Sequence, residues 1–146
     1  MNQSSSITKV VLIIAGIAAT LAAMWVFQRP AVESPAAVQQ GIPDDPDGRV
    51  LQQLVAAGSD LSKPHNVEFF LYLPDQERAT KTCGALQADG YAGEVQRDAR
   101  GAQWECMATR RLVPTHAEIV AISRRMEDLA KVHGGTYKGW GTPVVP

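Results

Sequence analysis

Residues Val10 to Phe27 (VVLIIAGIAATLAAMWVF) form one unbroken apolar run, and this run constrains the chain more than any other feature. A helix rises ~1.5 Å per residue, so about 18 residues reach close to the ~30 Å hydrocarbon thickness of a bilayer. Ile7 and Thr8 lengthen the run enough to span with some tilt. The competing reading is a cleaved secretory signal, favoured by a short N-terminal flank with one lysine, Lys9. Against it, the run exceeds the usual signal core of about 7–15 residues. The nearest approach to a cleavage triplet, Thr20-Leu21-Ala22, lies inside the run. Trp25 and Phe27 close it with Arg29 just beyond, the aromatic and cationic pattern of a retained interfacial anchor. The sequence thus predicts a transmembrane helix over residues 10–28 after a flank of residues 1–9. Its partner is membrane lipid, and its setting a bacterial inner membrane crossed once. Lys9 against Arg29 is nearly a tie in flanking charge and leans only weakly toward an outward-facing domain, so the side of the domain stays open.

Residues 29–45 read as a spacer, since Ala31 to Pro43 is small and polar, carries two prolines and has no sustained apolar period. Residues 46–143 are long enough for one compact domain. Acidic and basic side chains are equal in number from Gly58 onward. That balance argues against direct nucleic-acid binding, which needs a net basic surface.

Asp45 can cap a short helix with Pro46 in its first turn, Val50, Leu51, Leu54 and Val55 as its apolar stripe, and Gly58 as its stop. Asn66 to Leu73 (NVEFFLYL) is β-branched, aromatic and short, hence a strand. Pro74-Asp75 opens a second helix with Ala79, Cys83 and Leu86 on one face, ended by Gly90. Tyr91 to Gln96 and Gln103 to Val113 are strands joined by a turn at Gly101. Thr115 and Glu118 have capping-box spacing and start a long helix, with Ile119, Ile122, Met126 and Leu129 inward and Gly134 as its end. Thr136 to Lys138 supplies a last short strand. Strand, helix, strand, strand, helix, strand makes an α+β, ferredoxin-like antiparallel sheet with helices on one face, preceded here by a short helix.

No catalytic constellation is present. His65, His116 and His133 fall in no metal-ligand spacing, and the chain has no nucleophile elbow, phosphate loop or paired-cysteine motif. The reading is therefore of a non-enzyme with no cofactor and no metal. Glu68, Glu94 and Glu105 lie on three strands and can converge on one sheet face as a solvated surface. Alternation in the first strand places Val67, Phe69 and Leu71 inward and Glu68, Phe70 and Tyr72 outward. An outward aromatic pair on such a sheet suggests base stacking, but the basic-aromatic consensus strand is missing and the glutamates repel phosphate. A partner protein, or the chain's own first helix, is the expected cover for that face. Cys83 and Cys106 both fall on core-facing positions. They are either two buried thiols or, if the domain faces an oxidising compartment, a disulfide.

Three segments carry a resemblance: Gly58-Ser59-Asp60-Leu61, Gly90-Tyr91 and Gly134-Gly135-Thr136-Tyr137-Lys138-Gly139-Trp140-Gly141. In this order and spacing the chain resembles the ribonuclease E inhibitor family, called regulator of ribonuclease activity B, over roughly residues 46 to 143. The resemblance implies a ferredoxin-like fold and binding to an endoribonuclease, which dampens RNA decay. The chain departs from the family at Lys138, where an acid is usual, and in residues 141–146, which lack the acidic tail of soluble members. Tyr137 and Trp140 join Phe70 and Tyr72 as candidate protein-binding residues. The other role open to Tyr137 and Trp140 is a lid pinning the last strand over the core.

Overall fold

The computed structural model describes residues 41–98 and 100–146. The flank, the transmembrane segment and most of the spacer expected from the sequence lie outside the described residues. Among the described residues no helix is long and apolar enough to cross a membrane.

The described chain is α+β, with three helices and a four-stranded antiparallel sheet. Its elements are α1 (Pro46–Ala56), β1 (His65–Leu73), α2 (Gln76–Ala88), β2 (Ala92–Arg97), β3 (Trp104–Leu112), α3 (His116–Val132) and β4 (Thr136–Gly141). The sheet order is β2-β3-β1-β4, so the two central strands are the longest and most apolar. Each helix starts on an acceptor side chain that satisfies a free backbone N–H. Asp45 accepts from Gly48, Asp75 from Arg78 and Thr115 from Glu118. The last strand is longer than the sequence suggests, running through Trp140 to Gly141 rather than ending at Lys138.

Strand β1 alternates as its pattern predicts. His65, Val67, Phe69, Leu71 and Leu73 are buried, Phe70 and Tyr72 are half-buried, and Glu68 is half-buried beside them. Register carries the inward set across the sheet, with Phe69 opposite Ala108 and Trp140, and Leu71 opposite Cys106 and Tyr137. Helices α2 and α3 cover this face with Ala79, Cys83 and Leu86 from one and Ile119, Ile122, Met126 and Ala130 from the other. A disulfide joins Cys83 of α2 to Cys106 of β3, with Cα atoms 5.6 Å apart. Helix α1 adds Leu51 and Leu54 to the same core and packs on α3. The expectation that the first helix would serve as cover for the opposite face therefore fails. Asp47 holds it on the covered side through hydrogen bonds to α3 and β4.

Candidate binding surface

The Tyr137–Gly141 segment departs from strand periodicity. In a regular strand residues three apart point to opposite faces. Here Phe70 pairs with Gly139 and Leu71 with Tyr137, so Lys138 is an extra residue in a bulge. Gly139 sits there at φ +111°, a conformation open to glycine. The bulge turns Tyr137 and Trp140 to the same, covered face. Gly135 just upstream is equally constrained, because a Cβ there would collide with the Tyr72 carbonyl oxygen and the Leu73 side chain.

Both aromatics end in hydrogen bonds. The Trp140 indole N–H donates to the Asp47 carboxylate at 2.9 Å, and the Ser123 hydroxyl donates to the same oxygen at 3.1 Å. Ser123 and the Tyr137 hydroxyl are 3.2 Å apart. One carboxylate thus ties α1, α3 and β4 together. Burial pushes the Tyr137 phenol up to about 12, and the nearby Asp47 carboxylate adds to the rise. The group forms part of the wall of a shallow cleft between α1, α3 and β4, with Arg124 and Glu127 alongside.

The Gly58-Ser59-Asp60 segment is also structural. The buried Ser59 hydroxyl lies 2.7 Å from His65 Nε2, and His65 Nδ1 lies 2.8 Å from the Lys63 carbonyl oxygen. Ser59 also accepts the Val145 N–H at 3.0 Å, while the Asp60 N–H donates to the Val145 carbonyl at 2.7 Å. Thr142 donates to the Asn66 carbonyl at 2.9 Å. Residues 142–146 are thereby strapped over the connection that leads into β1. The remaining histidine contact of note is His116, 2.7 Å from Asp45 at the start of α1. Among the described residues no histidine, cysteine, aspartate and glutamate side chains are grouped to hold a metal ion.

The other face of the sheet has no covering layer among the described residues. Register sets out its rows: Ala92, Thr109, Glu68 and Gly141; then Glu94, Met107, Phe70 and Gly139; then Gln96, Glu105, Tyr72 and Thr136. Phe70, Tyr72 and Met107 are half-buried at its centre. Lys138 leans from the bulge over the Tyr72 ring, its Nζ 6.0 Å from the centroid. Glu68, Glu94 and Glu105 do share this face. Glu105 differs from the other two in being only 7% exposed, and burial raises its carboxyl above the usual range despite a hydrogen bond with Gln96. Among the described residues none of the three makes an ion pair.

The four aromatic residues singled out from the sequence thus divide. Phe70 and Tyr72 stand on the open face, while Trp140 is buried and Tyr137 half-buried on the covered one. Sequence reasoning missed Met107, Asp47 and Ser123. Met107 could have been found by extending the alternation of β1 to its partner strand. Asp47 and Ser123 carried no signal, since a polar residue on a helix is ordinarily solvated. With this geometry in hand, comparison with known proteins adds one finding. A family model described as regulator of ribonuclease activity B matches residues 44–142. No curated protein matches the chain.

Proposed function

The chain belongs to the regulator of ribonuclease activity B family, and on that footing we propose that it is a non-enzymatic protein-binding module that regulates an endoribonuclease, and hence RNA decay, from a membrane tether. The observation that carries the reading is the reach of the family match, which takes in α1 to β4 without a break. The strand order β2-β3-β1-β4 supports a ferredoxin-like arrangement, which leaves one sheet face free for a partner. Phe70 and Tyr72 are the binding candidates on that face. Tyr137 and Trp140 act through the fold that presents it. The tether rests on the apolar run at residues 10–28, single-pass in a bacterial inner membrane. To test this, the full chain is crosslinked in membranes and captured. The expected result is an endoribonuclease in the capture and longer-lived RNA when the chain is overproduced. Neither a captured nuclease nor a change in RNA half-life would be the failing result.

One observation favours a second reading, an envelope-facing interaction domain with no ribonuclease role. It is the Cys83–Cys106 disulfide, because such bonds persist in oxidising compartments and are rare in the cytosol. Quenching cells in acid, unfolding the chain in denaturant and then labelling with maleimide, with and without prior reduction, separates the two, because both sulfurs are buried in the fold. Labelling without reduction supports the cytoplasmic domain, and labelling only after reduction supports the envelope-facing one.

A further inference from the structure

We infer that the open face of the sheet binds a segment of a partner protein carrying apolar side chains beside a lysine or arginine, the apolar groups seating on Phe70 and Met107 and the cation on Glu105 and Glu94. This rests on the protein-binding reading above and adds the chemistry of the partner.

The face sets an apolar lane beside two carboxylates, which matches such a segment. Phe70 and Met107 are directly opposite one another on the central strands, and together with Tyr72 they form a continuous apolar lane. On the β4 side the register positions are Gly139 and Gly141, which place no side chains beside Phe70 and leave that flank open. On the β2 side stand Glu94, opposite Met107, and Glu105, diagonal to it and opposite Tyr72. Diagonal neighbours of this kind lie about 7–8 Å apart at Cα, within reach of one long cationic side chain.

The charges on this face do not neutralise one another in place. Lys138 lies across Tyr72 from Glu105, and Arg111 pairs with Asn66 at the far end of the strands. Glu105 is therefore a shielded carboxylate with an amide neighbour and, among the described residues, no cation beside it. A partner's cation would supply what burial has removed, and one that arrived with apolar side chains would strengthen the contact by excluding water. The same carboxylates repel phosphate, which sets a nucleic acid or an anionic lipid surface against this site.

Four strands about 4.8 Å apart and three rows about 7 Å apart make a patch of roughly 300 Å². That is well under the ~800 Å² per partner of a standard interface, so the segment is short and its binding weak and reversible.

The test uses the full chain in nanodiscs of zwitterionic lipid, with empty nanodiscs subtracted. The probes are three fluorescent peptides of equal length, patterned leucine/arginine, leucine/glutamate and serine/arginine, read by anisotropy. The leucine/arginine peptide should bind at least about tenfold more tightly than either other, a margin of ~1.4 kcal/mol. Phe70→Ala and Glu105→Gln should each weaken it by about tenfold, while Glu127→Gln on the opposite side leaves it unchanged. Equal binding of the leucine/glutamate peptide overturns the inference, as does binding indifferent to Phe70→Ala and Glu105→Gln in variants that melt like the parent. Its failure is distinct from failure of the functional proposal. A nuclease captured by Phe70→Ala and Glu105→Gln as well as by the parent sinks this face and leaves the nuclease reading standing.

Discussion

On the covered face of the sheet Val67, Phe69, Leu71, Cys106 and Ala108 have no exposed surface at all, whereas on the other face Phe70, Tyr72 and Met107 keep part of theirs. The same strands make both faces, and alternate residues of one strand serve opposite ends. In the segments by which the chain resembles its family, the buried side chains serve the covered side, while Thr136, Gly139 and Gly141 take register positions on the open one. Trp140 and Tyr137 hold Asp47 and Ser123, Ser59 holds His65 and the strap, and Gly135 allows the approach to Tyr72. These residues specify how the domain is built. Glu105, Met107 and Phe70, on which the proposed binding rests, lie outside those segments.

The contrast between the faces breaks first at Trp140. Trp140→Ala removes a large buried side chain and leaves the Asp47 carboxylate without its indole donor, so unfolding by urea should show a loss of ~3–5 kcal/mol. Phe70→Ala on the open face should cost under ~1 kcal/mol, because its ring is already partly in water. Equal losses at the two sites would mean that the open face is part of the core. Next in size is the staple. The Cys83–Cys106 bond closes a loop over a sequence separation of 23, and replacing both cysteines by alanine should lower stability by about 3 kcal/mol on the loop-entropy account. Peptide binding by the open face should survive that change while the domain remains folded.

Much of this division is legible in the sequence alone. Period-two alternation in β1 separates Phe69 from Phe70 correctly, because a half-buried strand leaves a strong signal. Asp45, Asp75 and Thr115 mark the helix starts through their own side-chain chemistry, and Gly58, Gly90 and Gly134 mark the ends, all at positive φ. The bulge in β4 is not legible. Counting by twos from Tyr137 puts Trp140 on the wrong face, and only the pairing with β1 reveals Lys138 as the extra residue. The position of α1 is also hidden, since an apolar stripe says that a helix packs but not on which layer. Asp47 decides it through contacts 76 and 93 residues away in the chain. Nor can spacing show that Glu105 is shielded while Glu68 and Glu94 are less so, since this depends on neighbours in two other strands.

A smaller effect tests the polar tie beneath the bulge. Tyr137→Phe deletes one hydroxyl contact with Ser123 and should cost ~1 kcal/mol at neutral pH. Its pH signature is more specific. The phenol is raised in the folded state, from 10.0 to about 12, so its contribution is complete below the ordinary value and is lost as pH rises through the folded one. Phenolate absorbance should show one late-titrating tyrosine near pH 12 in the parent, and that step should vanish in Tyr137→Phe. A persisting late step would assign it to another tyrosine and break the link between Trp140, Asp47 and Tyr137.

The smallest effect is on the open face, and there the sign identifies the site. Burial raises the Glu105 carboxyl, so the folded state holds its proton more firmly than the unfolded chain does. Stability from this group is complete below the ordinary glutamate range and declines as pH rises through the raised folded value. Asp45 and Asp60 run the other way, because hydrogen bonds from Gly48 and Ser62 lower their carboxyls and make them stabilising above the ordinary aspartate range. Glu105→Gln keeps the shape and the hydrogen-bonding partner Gln96 but removes the charge. Melting temperature followed from about pH 4 to about pH 7 should therefore decline less, or rise more, in the variant than in the parent. A parent whose advantage over the variant grows from about pH 4 to about pH 7 would mean that a cation within the fold already satisfies Glu105. The open face would then have no unpaired carboxylate to offer a partner.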